Sequence, residues 1–160
     1  MKVAIVYRSV RGNTKIIAEA ISKIMGADLF DLDKVKRISL DGYDLIGFGS
    51  GIYYGKHHRD LLEFVDTLPH LEKEAFIFST SAFRKIPLLD FDKALKKRLE
   101  RKGFRVIASF SCRGHTNYIF FSLFGGIWKG RPNHADIGKA EEFAKNVLRV
   151  ASYHQAGVSK

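Results

Sequence analysis

The sequence has little cysteine and no long apolar run, and both deficits narrow the class of protein. One cysteine in 160 residues, Cys112, excludes an internal disulfide and is typical of the reducing cytoplasm, where we expect the protein to reside. No stretch approaches the unbroken apolar length of a membrane span. The first residues, MKVAIVYRSV, form a strand-like run without the features of a signal peptide. A disulfide scaffold and a membrane-spanning protein are therefore not expected.

Acidic residues are also scarce, with 17 Asp and Glu against 27 Lys and Arg, which gives a formal net charge of +10. Such a charge favours acidic proteins, nucleic acids or anionic surfaces as partners, and it is equally typical of organisms with basic proteomes. No nucleic-acid-binding motif accompanies the charge, so we expect no nucleic-acid partner. The sequence does not fix the oligomeric state.

Strand and helix patterns alternate along the chain. Apolar, β-branched runs predict strands over 2–7, 27–32, 44–50, 74–80 and 104–111. Apolar residues at helical spacing predict helices over 13–25, 58–68, 91–102 and 136–150, the last with Asp136 as N-cap. This alternation predicts an α/β fold with a five-stranded parallel sheet covered by helices on both faces.

The regions between these elements set the domain prediction. The connection over 33–43 has little helical periodicity, so that crossover is expected to lack a helix. We predict one domain over 1–150 and a C-terminal tail over 151–160. The segment 112–135 is long and rich in glycine and aromatic residues, which indicates a functional role rather than disorder.

The junction IVYRSVRGNTKIIA (5–18) joins the first strand to the first helix. In a parallel sheet, ligands bind at the carboxyl ends of the strands, and a helix start offers backbone N–H groups to an anion. Ser9, Gly12, Asn13 and Thr14 supply hydroxyls, an amide and a flexible backbone there. The stretch is neither a P-loop nor a G-x-G-x-x-G motif, so it favours a mononucleotide or another phosphate monoester. The alternative is an ordinary capped turn.

The stretch IVYRSVRGNTKIIAEAI (5–21) resembles the flavodoxin signature. The matching positions are Ile5, Val6, Tyr7, Ser9, Gly12, Thr14 and Ala18. The resemblance implies a doubly wound sheet of strand order 2-1-3-4-5 and FMN as the cofactor. It gives the phosphate-binding role to Ser9, Gly12, Asn13 and Thr14. Arg11, within the same loop, either contacts the phosphate or points to solvent.

Two further loops match positions that flavodoxins place against the flavin ring. In GFGSGIYYGKHH (47–58) the resemblance implies ring contacts by Ser50, Gly51, Ile52 and Tyr53, with Tyr53 or Tyr54 stacking on the ring. In FSTSAF (78–83), Thr80, Ser81 and Ala82 would meet the polar edge of the ring through backbone groups. The alternatives are surface or core tyrosines and an ordinary Ser/Thr loop.

Three other residues near these loops have open roles. His57 and His58 could exchange a proton with reduced flavin or carry charge near it, but such a pair more often begins a helix. Cys112 could be a redox thiol, and a buried inert cysteine is the favoured interpretation. No Cys, His and carboxylate spacing indicates a metal site, and no Ser–His–Asp set can be identified from the sequence.

The kind of flavoprotein follows from the charge and from family resemblance. Between Arg84 and Arg105 there are nine Lys or Arg and three acids, whereas flavodoxins that shuttle electrons are typically acidic. We expect an FMN-binding electron carrier. Its basic charge predicts that it acts with an acidic redox partner protein or a small acidic substrate. The alternative is an FMN-dependent oxidoreductase acting on a quinone, NAD(P)H or a porphyrinogen. GSGIYYGKHH and the segment after strand five are similar to flavodoxin-type protoporphyrinogen oxidases, and the stretch GGIWKGRPNHADIGKAEEFA resembles uncharacterised prokaryotic flavodoxins.

Overall fold

A computed structural model describes residues 1–35, 37–81, 90–113 and 132–158 of the chain. The strands in these ranges are β1 (Val3–Arg8), β2 (Asp28–Asp31), β3 (Leu45–Tyr53), β4 (Lys56–His57), β5 (Glu74–Ser81) and β6 (Arg105–Arg113). The helices are α1 (Asn13–Met25), α2 (Arg59–Thr67), α3 (Lys93–Arg101) and α4 (His134–Val158). The predicted segment 112–135 lies mostly outside the described residues, as do Arg84 and Lys85.

The main sheet is parallel and has the order β2-β1-β3-β5-β6. This confirms the predicted order 2-1-3-4-5, because β5 and β6 are the fourth and fifth strands of the sequence prediction. The prediction missed β4, two residues that return antiparallel to the end of β3. Residues 32–35 and 37–44 form no helix, as expected for the crossover after β2.

Helices cover both faces of the sheet, and alternate residues of each central strand belong to different cores. Ala4 and Val6 of β1 lie in the core beneath α2 and α3. Val3 and Ile5 lie in the core beneath α1 and α4. The central strands are buried on both sides, which explains why they appear in the sequence as unbroken apolar runs. No helix within the described ranges combines the length and the apolar character that crossing a membrane requires.

The C-terminal helix differs from the prediction at both ends. Asn133 and Asp136 exchange side-chain to backbone hydrogen bonds of 3.0 and 3.1 Å, so Asp136 closes a capping box and is not itself the N-cap. The helix continues to Val158, through most of the expected tail. Ala151 is buried, and His154 Nδ1 lies 2.7 Å from Glu74 Oε1. Contacts between this extension of the helix and the domain therefore reach as far as His154.

Candidate functional site

The carboxyl ends of β1, β3 and β5 lie side by side, because these three strands are adjacent in the sheet. Arg8 pairs in register with Ser50, and Gly51 pairs with Thr80. The first loop follows β1, the second follows the buried part of β3, and the third follows β5. The sequence-predicted site residues within the described ranges therefore lie at one edge of the sheet, while Ala82 falls outside those ranges.

The first loop leads directly into the N-terminus of α1. Gly12 precedes the helix with φ 86°, a left-handed conformation that glycine adopts without strain. A Cβ at Gly12 would meet nothing within 4 Å, so space is open beside it. Ser9 Oγ accepts the Lys15 N–H at 3.2 Å, which draws the loop around the helix start. The first turn of α1 holds no acidic residue, and this favours an anion at that end. Arg11 is exposed, and Asn13 is half-buried.

A hydroxyl pair joins the first loop to the third. Thr14 Oγ1 and Thr80 Oγ1 are 2.9 Å apart, and both residues are buried. Ser81, the last residue of β5, is also buried. The Thr14–Thr80 contact fixes the start of α1 against the end of β5.

The second loop is a short hairpin between β3 and β4. Ile52 pairs with His57 and Tyr53 pairs with Lys56, which leaves Tyr54 and Gly55 as the two turn residues. Both turn residues have positive φ, 50° at Tyr54 and 76° at Gly55, as a type I′ turn requires. The Tyr54 residue is 94% exposed, while Tyr53 is half-buried and packs edge-on against the His58 ring at 5.2 Å. Tyr54 thus projects from the tip of the hairpin.

Ser50 lies beneath the second loop and is completely buried. Its Oγ lies 2.9 Å from each of three polar atoms: the Gly51 carbonyl oxygen, His57 Nδ1 and the His58 backbone nitrogen. The His58 N–H donates to the Ser50 Oγ. Ser50 therefore ties both ends of the hairpin together from the inside.

The sequence analysis missed the polar chain that continues from Ser50. His57 Nε2 lies 3.0 Å from Asp92 Oδ1, and Ser109 Oγ donates to Asp92 Oδ2 at 2.6 Å. His57 and Asp92 are buried, and they come from β4 and from the turn that begins α3. No local pattern marks these residues, since 35 positions separate His57 from Asp92.

His58 fulfils the helix-starting role that the sequence favoured for the histidine pair. It is the N-cap of α2, and its Nδ1 accepts the Asp60 N–H at 3.1 Å. Burial lowers the pKa of His58, with the nearby Asp60 carboxylate opposing this shift. The neutral ring that burial favours is also the form that can accept at Nδ1.

Charged and aromatic side chains stabilise the base of the first loop. Arg8 Nε donates to Asp60 Oδ2 at 2.9 Å, and this hydrogen bond lowers the pKa of Asp60. The Arg8 guanidinium also lies 3.3 Å from Asp33. Burial, and next the charge of Asp31, raises the pKa of Tyr7 to about 12. The ring of Tyr7 is thus a neutral, buried part of the strand that leads into the loop.

The basic helix α3 begins beside the second loop. Its N-cap residue Asp92 contacts His57 of β4, and its exposed face carries several cations. Arg98 pairs with Asp66 of α2, and Lys96 lies 4.0 Å from Glu100. Exposed cations on this helix and its end are Lys93, Lys96, Lys97 and Arg101. Positive charge therefore borders the loop edge of the sheet.

Two further predictions concern cysteine and metal. Cys112 is buried near the end of β6, where it pairs in register with Thr80. This placement agrees with the interpretation of a buried cysteine. Within residues 1–35, 37–81, 90–113 and 132–158, no group of three or more His, Cys, Asp or Glu side chains is arranged to hold a metal ion.

Comparison with known proteins identifies the family. The flavodoxin domain model matches residues 4–124. An uncharacterized protein of Methanocaldococcus jannaschii is 45% identical over 150 residues, which are 93% of this chain and 99% of that protein. Oxidised flavodoxin 1 from Bacillus cereus superposes with a TM-score of 0.69 at 20% identity, over 93% of this chain and 98% of its own. A flavoprotein in complex with FMN from Lactobacillus acidophilus superposes with a TM-score of 0.53 at 23% identity, over 69% of this chain and 92% of its own. The structural likenesses concern the fold, and the domain match shows that this chain belongs to the flavodoxin family.

Proposed function

We propose that this protein binds FMN at the three loops and carries electrons between partner proteins in the cytoplasm. The observation that carries the proposal is the start of α1, where a left-handed glycine, two hydroxyl residues and the helix N-terminus surround an open space. Family membership and the FMN held by the Lactobacillus acidophilus flavoprotein support the choice of cofactor. The single cysteine supports a reducing compartment.

The first loop fits the phosphate of FMN. Ser9 Oγ accepts the Lys15 N–H, so its own proton can be donated to a phosphate oxygen. The side chains of Asn13 and Thr14 and the backbone at Gly12 would complete the contact at the positive end of the helix. Arg11, exposed on the same loop, would add positive charge. The donors and the open space beside Gly12 are suited to a dianion.

The second and third loops fit the ring. Bound FMN would supply the transfer of one or two electrons. Gly51, Ile52 and Tyr53 would present backbone and side-chain edges to the ring, and Tyr54 would stack on it and exclude water. Thr80 and Ser81 would face its polar edge, as would Ala82. Buried Ser50 would act on the ring indirectly, by holding the hairpin.

An acidic redox partner, or a small acidic substrate, fits the charge at this edge. The N-terminus of α3 lies beside the second loop, and Lys93, Lys96 and Lys97 follow it on exposed positions. A positive surface next to the flavin would speed the approach of a negatively charged partner, and added salt would weaken this effect.

The proposal is tested by titrating the purified protein with FMN and with riboflavin, which lacks the phosphate. The Ser9→Ala variant should bind FMN roughly 10- to 150-fold more weakly, the loss expected for one hydrogen bond to a charged group of about 1.5–3 kcal/mol. Its affinity for riboflavin should be unchanged. Ser39→Ala, at an exposed serine bonded to Asp41, is the matched control. A wild-type protein that takes up no FMN would overturn the proposal.

Turnover separates the electron carrier from a flavoenzyme. A carrier should give its electrons stoichiometrically to a second redox protein, in a reaction that slows with added salt. Repeated turnover of NAD(P)H with a quinone, or of a porphyrinogen, in the absence of any partner protein would instead establish the oxidoreductase.

A further inference from the structure

A polar chain of four side chains, of which the first three are buried and Ser109 is exposed, runs from the second loop to the edge strand of the sheet. It consists of Ser50, His57, Asp92 and Ser109, joined by contacts of 2.9, 3.0 and 2.6 Å. The His57 side chain has 0% exposure, and that of Asp92 has 6%. Desolvated groups of this kind are costly unless they are hydrogen-bonded, so the chain is held in a defined arrangement.

The proton inventory of Ser50 permits two arrangements. Serine has one hydroxyl proton, and the Gly51 carbonyl oxygen and His57 Nδ1 both lie 2.9 Å from its Oγ. When the hydroxyl donates to His57 Nδ1, the imidazole is neutral and carries its proton on Nε2. When the hydroxyl donates to the Gly51 carbonyl, Nδ1 must itself donate to Ser50 Oγ. With Nε2 donating to an ionised Asp92, His57 then carries protons on both nitrogens.

The surroundings of Asp92 make the second arrangement possible. Asp92 Oδ1 lies 3.0 Å from His57 Nε2, where a carboxylate can accept its proton, and the 2.6 Å bond from Ser109 has the length of a charge-assisted hydrogen bond to a carboxylate. Asp92 also sits at the start of α3, where the helix dipole favours negative charge. An ionised Asp92 would balance the charge of a doubly protonated His57 in the interior.

These contacts exclude a hydrolytic role for the Ser50, His57 and Asp92 set. Ser50 is 0% exposed, and its Oγ is already within hydrogen-bond distance of three groups in the hairpin. A nucleophilic serine must reach a substrate carbon, and this one is enclosed. The four side chains are therefore suited to positioning the second loop and holding a proton.

We propose that His57 is a positioning residue whose proton at Nδ1 decides whether the Ser50 hydroxyl bonds to the Gly51 carbonyl. Proton uptake at Nδ1 directs the hydroxyl to Gly51, and proton release returns it to His57. The state of the second loop thus depends on a buried proton. The consequence for FMN rests on the proposed function, because Gly51 belongs to the loop expected to contact the ring.

Charged and titratable groups face His57 from the start of α3 and from the hairpin. Asp92 faces Nε2 from the start of α3, and Asp90 accepts the Asp92 N–H at 3.1 Å. Asp90, Asp92, Lys96 and Ser109 line a cavity of about 260 Å³. On the hairpin side the neighbours are Lys56 and His58, with Asp60 and Arg8 beyond His58.

Reduction of bound FMN should draw a proton to His57. If FMN is bound, an electron supplied by an added reductant such as dithionite would add negative charge beside the second loop wherever the cofactor takes up no proton itself, and a proton from solvent at His57 Nδ1 would balance that charge. The equilibrium constant for reduction would then change tenfold per pH unit through this group, or about 59 mV for one electron. His57→Gln, which keeps a neutral amide at the position, should remove this part of the pH dependence.

The test uses ¹⁵N and ¹³C NMR of the full-length protein, first without FMN and then with oxidised and reduced FMN. Spectra over a pH series report the protonation of His57 Nδ1 and the Gly51 carbonyl shift. We expect the two signals to change together, with an identical midpoint. Asp92→Asn should keep the fold and abolish the change, while His70→Gln, at an exposed histidine elsewhere, should leave it intact.

The outcomes separate this inference from the proposed function. A His57 that keeps the same protonation across the pH series and on reduction overturns it, as does a Gly51 carbonyl signal that does not follow His57. If the protein binds no FMN, the proposed function fails, and the flavin-free series still decides whether His57 controls the Ser50 hydroxyl. If His57→Gln does not fold, the Asp92→Asn spectra and potentials decide the same question.

Discussion

Replacing Tyr54 by asparagine should make the flavin-free protein more stable and its binding of FMN weaker. Tyr54 occupies the first turn position of the β3–β4 hairpin with φ 50°, in the left-handed region that side chains rarely adopt. Type I′ turns strongly prefer Asn-Gly at their two central positions, and Gly55 already supplies the second. A strained tyrosine that is 94% exposed gains little from packing, so its strain indicates a functional role.

The magnitudes follow from the turn and the exposed ring. The left-handed conformation costs an ordinary residue about 1–2 kcal/mol, and asparagine recovers part of this cost. We expect the free energy of unfolding to rise by about 0.5–1 kcal/mol, which raises Tm by about 1–4 °C for a chain of this size. Loss of stacking on the flavin should weaken FMN binding by about 1–3 kcal/mol, or roughly 5- to 150-fold.

Two measurements on the same preparation test both effects. Thermal unfolding of the flavin-free protein gives the change in stability, and fluorescence titration with FMN gives the change in affinity. Tyr153→Asn is the matched control, because it removes another exposed tyrosine, on α4, that lies outside the loops. A flavin-free Tyr54→Asn protein that is less stable than wild type would refute the strain argument. Unchanged FMN affinity would refute the stacking role.

Three further substitutions test the packing and electrostatics around the site. Gly49→Ala would place a Cβ 2.1 Å from the Phe78 ring, so we expect a loss of about 1–3 kcal/mol in urea unfolding, and a wild-type midpoint would contradict the close packing. His58→Asn preserves an N-cap without a titrating ring. Because burial lowers the pKa of His58 in the folded state, the unfolded state takes up its proton first, and wild-type stability should fall as the pH drops through about 6.5. The asparagine variant should lose less stability over that range. Arg8→Gln removes the hydrogen bond that lowers the pKa of Asp60, and the half-exposed pair should contribute at most about 1 kcal/mol. That contribution is present above about pH 4 and disappears as Asp60 is protonated, so the stability difference between wild type and variant should shrink in acid. A difference that persists under acidic conditions would assign the effect to packing.

The sequence by itself determined the order of strands and helices and the edge of the sheet at which the candidate site residues lie. The helix predicted over 13–25 is α1 (Asn13–Met25), because its apolar spacing and the preceding glycine act within a few residues of each other. The alternation of apolar runs defined a parallel sheet with two covered faces, and that topology places every loop after a strand at the same edge. These features depend on local patterns, which a sequence displays directly.

Short or weakly patterned elements were less predictable. Strand β4 has two residues, which are too few to show a hydrophobic period in the sequence. It forms because the Tyr54–Gly55 turn returns the chain onto β3. The sequence analysis missed the end of α4 because its last turns mix polar and apolar residues. Buried Ala151 and the His154–Glu74 contact attach these turns to the domain.

Only the tertiary structure decided which polar groups meet. Thr14 and Thr80 are 66 positions apart, and His57 and Asp92 are 35 apart, yet each pair forms a buried hydrogen bond. Ser50, expected at the ring from its position in the loop, is enclosed beneath the hairpin. A local pattern fixes the backbone and the buried face of an element. The partner of a buried polar side chain is fixed by the packing of distant elements, because desolvation requires each such group to find a donor or acceptor wherever the fold provides one.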